Sequence, residues 1–159
     1  MTRAARPPAL GDTWFGSRLP ASALARLEAY ARPASYDAGA EILREGDPTR
    51  YLAVVVRGRV ALRLRVPERG MTTILTIEAG DIVGWTAVVP PHRATSTVTA
   101  LVPTDLLLLD GEGLRTELAA DPVLAAAVYH SLLEAVAKRL TGTRMQLLDL
   151  FSQQGDEPW

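Results

Sequence analysis

The middle of the chain alternates apolar and polar residues in short segments that glycines separate. The clearest segment runs from Val60 to Val66, where apolar side chains occupy the even positions and Arg63 and Arg65 stand between them. A period of two places the apolar side chains on one face of a β-strand. Further strands are predicted over 74–77, 97–102 and 104–109. The regular glycine spacing is typical of an antiparallel roll or barrel rather than of a parallel α/β sheet.

Helical spacing replaces this pattern on both sides of the β region. Before it, Leu24 and Leu27 recur at helical spacing, and we expect Pro33 to end the helix that they predict. After it, the pattern predicts a short helix over 114–120 and a long helix from about Pro122 onward.

The long helix has an apolar or small residue at every third or fourth position from Ala126 to Leu150. A seam of this kind is typical of a helix that packs against a partner helix. We expect its first half to pack on the roll and its second half to meet a second copy of the chain in a parallel homodimer. The predicted interface residues are Leu133, Val136, Leu140, Thr143, Leu147 and Leu150.

These elements predict a mainly β protein with helices, of the α+β class. Its architecture would be an antiparallel β-roll, a double-stranded β-helix of jelly-roll type, with an N-terminal helix and a long C-terminal helix. A length of 159 residues suits one domain with one core. The predicted boundaries are a flexible arm at 1–13, the helix and roll at 14–121, the long helix at 122–151 and a flexible tail at 152–159.

Composition narrows the classes of function. The formal net charge of −1 gives no overall attraction to nucleic acid or to an anionic membrane surface, and no apolar run is long enough to span a membrane. Cysteine is absent, which excludes disulfides and thiol catalysis and fits a cytoplasmic protein. His92 and His130 are the only histidines, so no metal site of the usual spacing can be built. We expect a non-enzymatic protein with no metal and no resident cofactor.

A candidate anion site lies between Gly80 and Ala100. Gly80 and Gly84 enclose an apolar run, and a Pro90-Pro91 turn, an arginine and a series of hydroxyl side chains follow. Backbone N–H and side-chain O–H groups arranged in this way can donate hydrogen bonds to a phosphate. The predicted ligand-binding residues are Gly84, Trp85, Thr86, Ala87, Arg93, Ala94, Thr95, Ser96 and Thr97.

Three segments carry a family pattern: Tyr36–Asp47, Tyr51–Leu62 and Gly80–Gly84. Together they resemble the cyclic nucleotide-binding domain of the catabolite-activator and fumarate-nitrate-regulator (Crp/Fnr) family, over about residues 19–139. The resemblance implies a β-roll with flanking helices and a dimer joined through the long helix. It also implies a phosphate-binding cassette after Gly84, folded as a short helix whose N–H groups face a cyclic phosphate.

The cassette departs from that family pattern at two positions. Members that bind cyclic AMP or cyclic GMP carry a glutamate directly after the second glycine, where it accepts the ribose 2′-hydroxyl proton. This chain has Trp85 there, and an indole only donates. Members also carry an arginine four residues before the valine of a closing Val-x-Ala, and counting back from Val98 gives Ala94. Arg93 stands one residue early, so it is either a ligand clamp that the Pro90-Pro91 turn redirects or an exposed charge.

The favoured hypothesis is a ligand-sensing or regulatory module with a degenerate cassette, in which Trp85 fills the former sugar pocket. Its ligand would be a cyclic nucleotide or another small anion, and not classical cyclic AMP. The pattern resembles a divergent bacterial subgroup of stand-alone domains. Family transcription factors continue into a helix-turn-helix, whereas few residues follow Leu150 here, so we expect an unidentified partner protein rather than DNA to receive the output. The alternative is a ligand-free interaction module that only dimerises.

Overall fold

The computed structural model describes residues 9–154, with side chains as far as Ser152. The strands are β1 Ala31–Tyr36, β2 Glu41–Leu43, β3 Tyr51–Arg57, β4 Arg59–Val66, β5 Gly70–Glu78, β6 Ile82–Val83, β7 Thr97–Ala100 and β8 Thr104–Asp110. The helices are α1 Trp14–Ser17, α2 Ala21–Glu28, α3 Gly111–Ala120 and α4 Pro122–Gln154. Single 3-10 turns cover Leu10–Asp12 and Trp85–Ala87.

Two four-stranded sheets form the roll, in the orders β1-β8-β3-β6 and β2-β7-β4-β5. All the strand pairs within them are antiparallel, which confirms the predicted β-roll with helices. Strand β3 shows how the two cores arise. Leu52 and Val54 pack in a cluster with helical residues, whereas Ala53 and Val55 pack in a cluster that joins both sheets. Because both faces of β3 are buried, consecutive positions of this strand are apolar.

The N-terminal helix ends earlier than the sequence suggested. Helix α2 stops at Glu28, and Pro33 lies inside strand β1, paired with Leu107 of β8. The prediction that Pro33 ends this helix was therefore wrong. Strand β1 is at the edge of its sheet, and an edge strand tolerates a residue without an N–H group because one side of it has no neighbouring strand.

The predicted arm and tail boundaries also need correction. Leu10 is fully buried in the core, and the Thr13 hydroxyl accepts a hydrogen bond from the Gly16 N–H at 3.0 Å, which caps α1. Burial of Leu10 thus orders residues 9–13, which were assigned to the flexible arm. Helix α4 extends to Gln154, three residues past its predicted end. The remaining parts of the predicted arm and tail, 1–8 and 155–159, lie outside the described residues.

Helix α4 packs on the roll through a different stripe from the predicted one. The buried residues are Leu124, Val128, Leu132 and Ala135. The residues of the first half of the predicted seam point outward: Leu133 is 67% exposed. The expectation that this half packs on the roll was wrong, because a second apolar stripe with the same spacing lies on the adjoining face of the helix. In the second half of the predicted seam, Leu140, Leu147 and Leu150 are exposed and Thr143 is half-buried beside β5.

Candidate ligand-binding pocket

The cassette begins at a sharp turn that only glycine fits. Gly84 follows β6 with a left-handed backbone, φ 74°, and a Cβ atom there would lie 2.5 Å from the carbonyl oxygen of Tyr51. The chain then forms the 3-10 turn at 85–87, one turn of the short helix that the family resemblance implied. This turn fixes the direction in which Trp85 and Thr86 leave the strand.

A narrow pocket opens between the cassette and the hydroxyl-rich strand. Its empty volume is about 350 Å³ with the mouth included, at the low end for small-molecule sites. The centre of a water-sized sphere reaches only about 50 Å³ of it. The lining residues are Leu43, Leu62, Gly84, Trp85, Thr86, Ala94, Thr95, Ser96, Val98 and Arg139. Six of the nine predicted ligand-binding residues are therefore brought together here.

Arg93 is not among the lining residues. Its Nη1 donates a hydrogen bond to the carbonyl oxygen of Gly46 at 2.8 Å, and its side chain is exposed. Ala94, the next residue, is buried and lines the pocket. This is the side-chain reversal expected of a one-residue shift in extended backbone. Of the two interpretations of Arg93, the geometry supports the exposed charge.

Two further predicted residues lie outside the lining. Ala87 is fully buried in the core cluster that contacts the helices. The Thr97 hydroxyl accepts a hydrogen bond from the N–H of Glu45 at 3.1 Å, which holds the loop after β2. Thr97 is buried, and its hydroxyl serves the fold because a buried polar group needs a partner.

The hydroxyl groups that do line the pocket differ in their availability. Thr86 Oγ1 lies 2.8 Å from Thr49 Oγ1 and shares a hydrogen bond with it. Within the described residues, the hydroxyls of Thr95 and Ser96 have no hydrogen-bond partner. These two groups can therefore donate to a ligand without breaking a bond within the protein.

Arg139 of helix α4 is the pocket residue that sequence reasoning missed. Its Nη2 donates to the carbonyl oxygen of Ile82, and its Nε is buried without a partner. Burial lowers the pKa of this guanidinium, and the negative charge of Asp81 opposes the shift. A guanidinium remains charged even so. It continues the buried stripe through Val128, Leu132 and Ala135 by four residues, so an arginine on the packed face was the available signal.

The residue before Arg139 holds α4 to the same strand. Lys138 Nζ lies 3.2 Å from Asp81 Oδ2, and it lies over the ring of Trp14 at 4.8 Å. Asp81 Oδ1 in turn accepts from the N–H of Ile82 at 2.8 Å. Two consecutive helix residues thus contact two consecutive residues at the start of β6, next to the cassette.

The described residues contain neither a metal-binding cluster nor a helix that could span a membrane. No group of three or more histidine, cysteine, aspartate or glutamate residues there could hold a metal ion. None of the helices within 9–154 combines the length and the apolar character that crossing a membrane requires.

Comparison with known proteins shows which proteins the chain is similar to. The sequence profile described as the cyclic nucleotide-binding domain matches residues 33–121. A CRP-like cAMP-activated global transcriptional regulator of Mycobacterium tuberculosis (strain ATCC 25618 / H37Rv) is 29% identical over 130 residues, which cover 81% of this chain and 56% of the relative. The chain spans about half the length of this relative, and 27% and 24% of two further curated relatives that it matches.

Solved structures agree with this placement. A cyclic nucleotide-binding domain from Methylobacillus flagellatus KT superposes with a TM-score of 0.76 at 24% identity, over 85% of this chain and 79% of that one. The N-terminal domain of a transcriptional regulator from Streptomyces coelicolor A3(2) superposes with a TM-score of 0.65 at 29% identity, over 84% and 93% of the two chains. The fold expected from the sequence is confirmed by both.

Proposed function

The chain belongs to the cyclic nucleotide-binding domain family, among its Crp/Fnr-like members, and from this premise we propose that it is a non-enzymatic module that senses a small anion other than classical cyclic AMP. The observation that carries the proposal is Arg139, a cation in the pocket wall whose Nε has no partner. A buried charge without full hydrogen bonding is costly. An anion bound beside the guanidinium in the pocket would offset this charge.

The lining of the pocket argues against classical cyclic AMP. No carboxylate lines it, and the half-buried Trp85 stands where related proteins that bind cyclic AMP carry a glutamate. Trp85 packs against the core cluster and narrows the space available to a sugar. Loss of one charge-assisted acceptor for the ribose costs about 1.5 to 3 kcal/mol, roughly a tenfold to hundredfold loss of affinity.

A compact anion suits the donors that remain. The guanidinium of Arg139 provides the charge, and the hydroxyls of Thr95 and Ser96, which have no partner within the described residues, provide neutral donors. Phosphate and carboxylate groups accept from such donors. The ligand class that we propose is therefore a small compound with a phosphate or carboxylate group. This class includes cyclic nucleotides whose sugar fits the space that Trp85 leaves.

The proposed output passes through α4, which contributes Arg139 and also the exposed apolar seam. In the proposal, this seam joins two copies of the chain, through Leu133, Val136, Leu140, Thr143, Leu147 and Leu150. An elongated apolar stripe is rarely left uncovered, and a two-fold axis lets one stripe cover itself. A ligand that moves Arg139 would thereby move α4, the helix that the partner contacts.

The alternative function is a ligand-free dimerisation module. The small space beside Trp85 favours it, because a closed pocket leaves α4 as the active surface. The two functions differ in whether any anion binds, while both predict a dimer.

Calorimetric titration separates them. The wild-type chain, Arg139→Gln and Arg93→Gln would be titrated with cyclic AMP, cyclic GMP, a cyclic dinucleotide and inorganic phosphate. We expect cyclic AMP to bind weakly or not at all, and any anion that binds to lose at least tenfold in affinity in Arg139→Gln while Arg93→Gln stays unchanged. Submicromolar binding of cyclic AMP would overturn the proposal. Absence of binding by all four compounds would favour the alternative.

A further inference from the structure

A second groove lies next to the cassette. It runs between the residues that enter β3 and the first turn of α3, and its empty volume is about 690 Å³ with the open mouth included. The groove is lined mainly by polar groups, which include the side chains of Arg50, His92, Glu112 and Arg115. It shares no lining residue with the first pocket.

Two opposite charges in this groove, on Arg50 and Glu112, are unpaired within the described residues. Within residues 9–154, neither the guanidinium of Arg50 nor the carboxylate of Glu112 takes part in an ion pair or a side-chain hydrogen bond. The other two charges are engaged: Asp110 Oδ2 accepts from the N–H of Gly113 at 2.8 Å, and Arg115 Nη1 donates to a backbone carbonyl. One free cation and one free anion therefore line the same cavity without pairing.

We propose that this groove binds a small zwitterion of the α-amino acid class, with its carboxylate on Arg50 and its ammonium on Glu112. A simple anion would meet repulsion from Glu112 and Asp110, and a simple cation would meet repulsion from Arg50 and Arg115. A ligand that carries both charges satisfies both free groups, and each charge-assisted bond contributes to affinity. The proposal is independent of what binds beside Arg139.

Three lining residues of the groove form hydrogen bonds with the cassette. Arg115 Nη1 donates to the carbonyl oxygen of Ala87 at 2.6 Å, and His92 Nδ1 donates to that of Thr86 at 3.0 Å. Thr49, a third lining residue, shares its hydroxyl bond with Thr86. Because Thr86 also lines the first pocket, a ligand in the groove contacts the side chains that hold the cassette in place. The groove is in this sense a regulatory site for the pocket.

Amide chemical shifts of the full chain, labelled with nitrogen-15, test the proposal. L-alanine, L-glutamate and L-arginine would be titrated one at a time, up to about 100 mM, some hundredfold above a millimolar dissociation constant. We expect saturable shifts at Thr86, Ala87 and Glu112 with at least one of the three. Acetate and methylammonium, each with one of the two charges, should bind at least tenfold more weakly.

Three variants show where the amino acid binds. Arg50→Gln and Glu112→Gln should each weaken binding at least tenfold, since each removes one charge partner. Arg59→Gln removes an exposed arginine that lines neither cavity, and it should leave the titration unchanged. The proposal is overturned if none of the three amino acids gives saturable shifts, or if Arg50→Gln and Glu112→Gln both bind like the wild type.

Discussion

Two glycines of the roll share a left-handed backbone and differ in the space around them. A Cβ atom at Gly84 would meet the Tyr51 carbonyl oxygen at 2.5 Å, whereas at Gly39, φ 86°, it would meet nothing within 4 Å. Gly39→Ala therefore adds only backbone strain, about 1 to 2 kcal/mol. Gly84→Ala adds a backbone clash, and we expect it to lower the free energy of unfolding by about 3 to 4 kcal/mol, measured by urea denaturation.

Gly39→Ala is the matched control for that measurement. Equal losses in the two variants would mean that the strand carrying Tyr51 moves aside at little cost. A larger loss at Gly84 would assign the difference to the close approach of cassette and β3.

The two arginines near the cassette show which site residues can be predicted from the sequence. Arg93 lies within the cassette, one residue before the position of the family's arginine. That shift is consistent with the exposed side chain that the structure shows. Arg139 lies far along the chain and reaches the pocket only through the docking of α4. A local motif contains no information about that docking, so the pocket cation could not be predicted from the cassette pattern.

Helix α4 offers a direct test of which face packs on the roll. Leu132 and Leu133 are neighbours in sequence, with exposures of 4% and 67%. Leu132→Ala leaves a cavity in the core and should lower the free energy of unfolding by about 2 to 5 kcal/mol. Leu133→Ala removes an outward side chain and should change it by less than about 0.5 kcal/mol in monomeric chain. Chemical denaturation at low protein concentration gives both values.

The reversed result, with Leu133 the costly substitution, would restore the packing expected from the sequence. That expectation failed for a specific reason. Apolar residues with a spacing of three and four occur on two adjoining faces of α4, and periodicity identifies a helix without saying which face meets the roll. The strands were predicted more securely, because a period of two leaves only two faces to choose between.

A charged cluster joins α2 to the junction of α3 and α4. Arg26 forms ion pairs with Glu117 and Asp121, and the Tyr30 hydroxyl donates to Glu117 Oε1 at 2.6 Å. The hydrogen bonds from Tyr30 and Arg26 lower the pKa of Glu117. The backbone N–H of Leu124, followed by Arg26, lowers the pKa of Asp121.

These shifts predict a pH dependence of stability with a definite sign. A carboxylate with a lower pKa in the folded state stabilises the fold above its unfolded pKa, and the contribution disappears as the pH falls through the folded pKa. Glu117→Gln should therefore lower the thermal midpoint near pH 7 and lower it less near pH 3, because the contribution of the carboxylate is lost as the pH falls through its lowered pKa. The effect is modest because the cluster is solvent accessible. Circular dichroism at both pH values measures it.

Glu45→Gln is the control for this comparison, since the Glu45 carboxylate lies in the turn after β2 and has no partner within the described residues. It should leave the midpoint unchanged at both pH values. A Glu117→Gln difference of the same size at pH 3 and pH 7 would contradict the assigned role of the charge.

At the scale of the whole molecule, the exposed seam predicts a homodimer. Leu140 and Leu147 are 51% and 50% exposed and lie near its centre. Replacing both by glutamate places charges in the proposed interface and should raise the dimer dissociation constant at least a hundredfold, about 2.7 kcal/mol, while the chain stays folded. Light scattering at tens of micromolar protein, together with circular dichroism, reports both properties.

Leu148→Glu is the matched control for the dimer, because Leu148 is 62% exposed yet lies to one side of the seam. It should leave the dimer intact. The proposal is wrong if the wild-type chain is monomeric at that concentration, or if the double variant remains dimeric.

Lys138 and Arg139 hold α4 against Asp81 and Ile82, and α4 continues past β5 to Gln154, fifteen residues after Arg139. At 1.5 Å per residue this arm is roughly 22 Å long, so a tilt of about 10° displaces its end by about 4 Å. In the proposal, a ligand that moves Arg139 would tilt α4 about its contact with the pocket wall. A small movement beside Trp85 would therefore become a larger displacement at the end of α4. Each helical turn removed after Arg139 would shorten this part of the helix by about 5.4 Å.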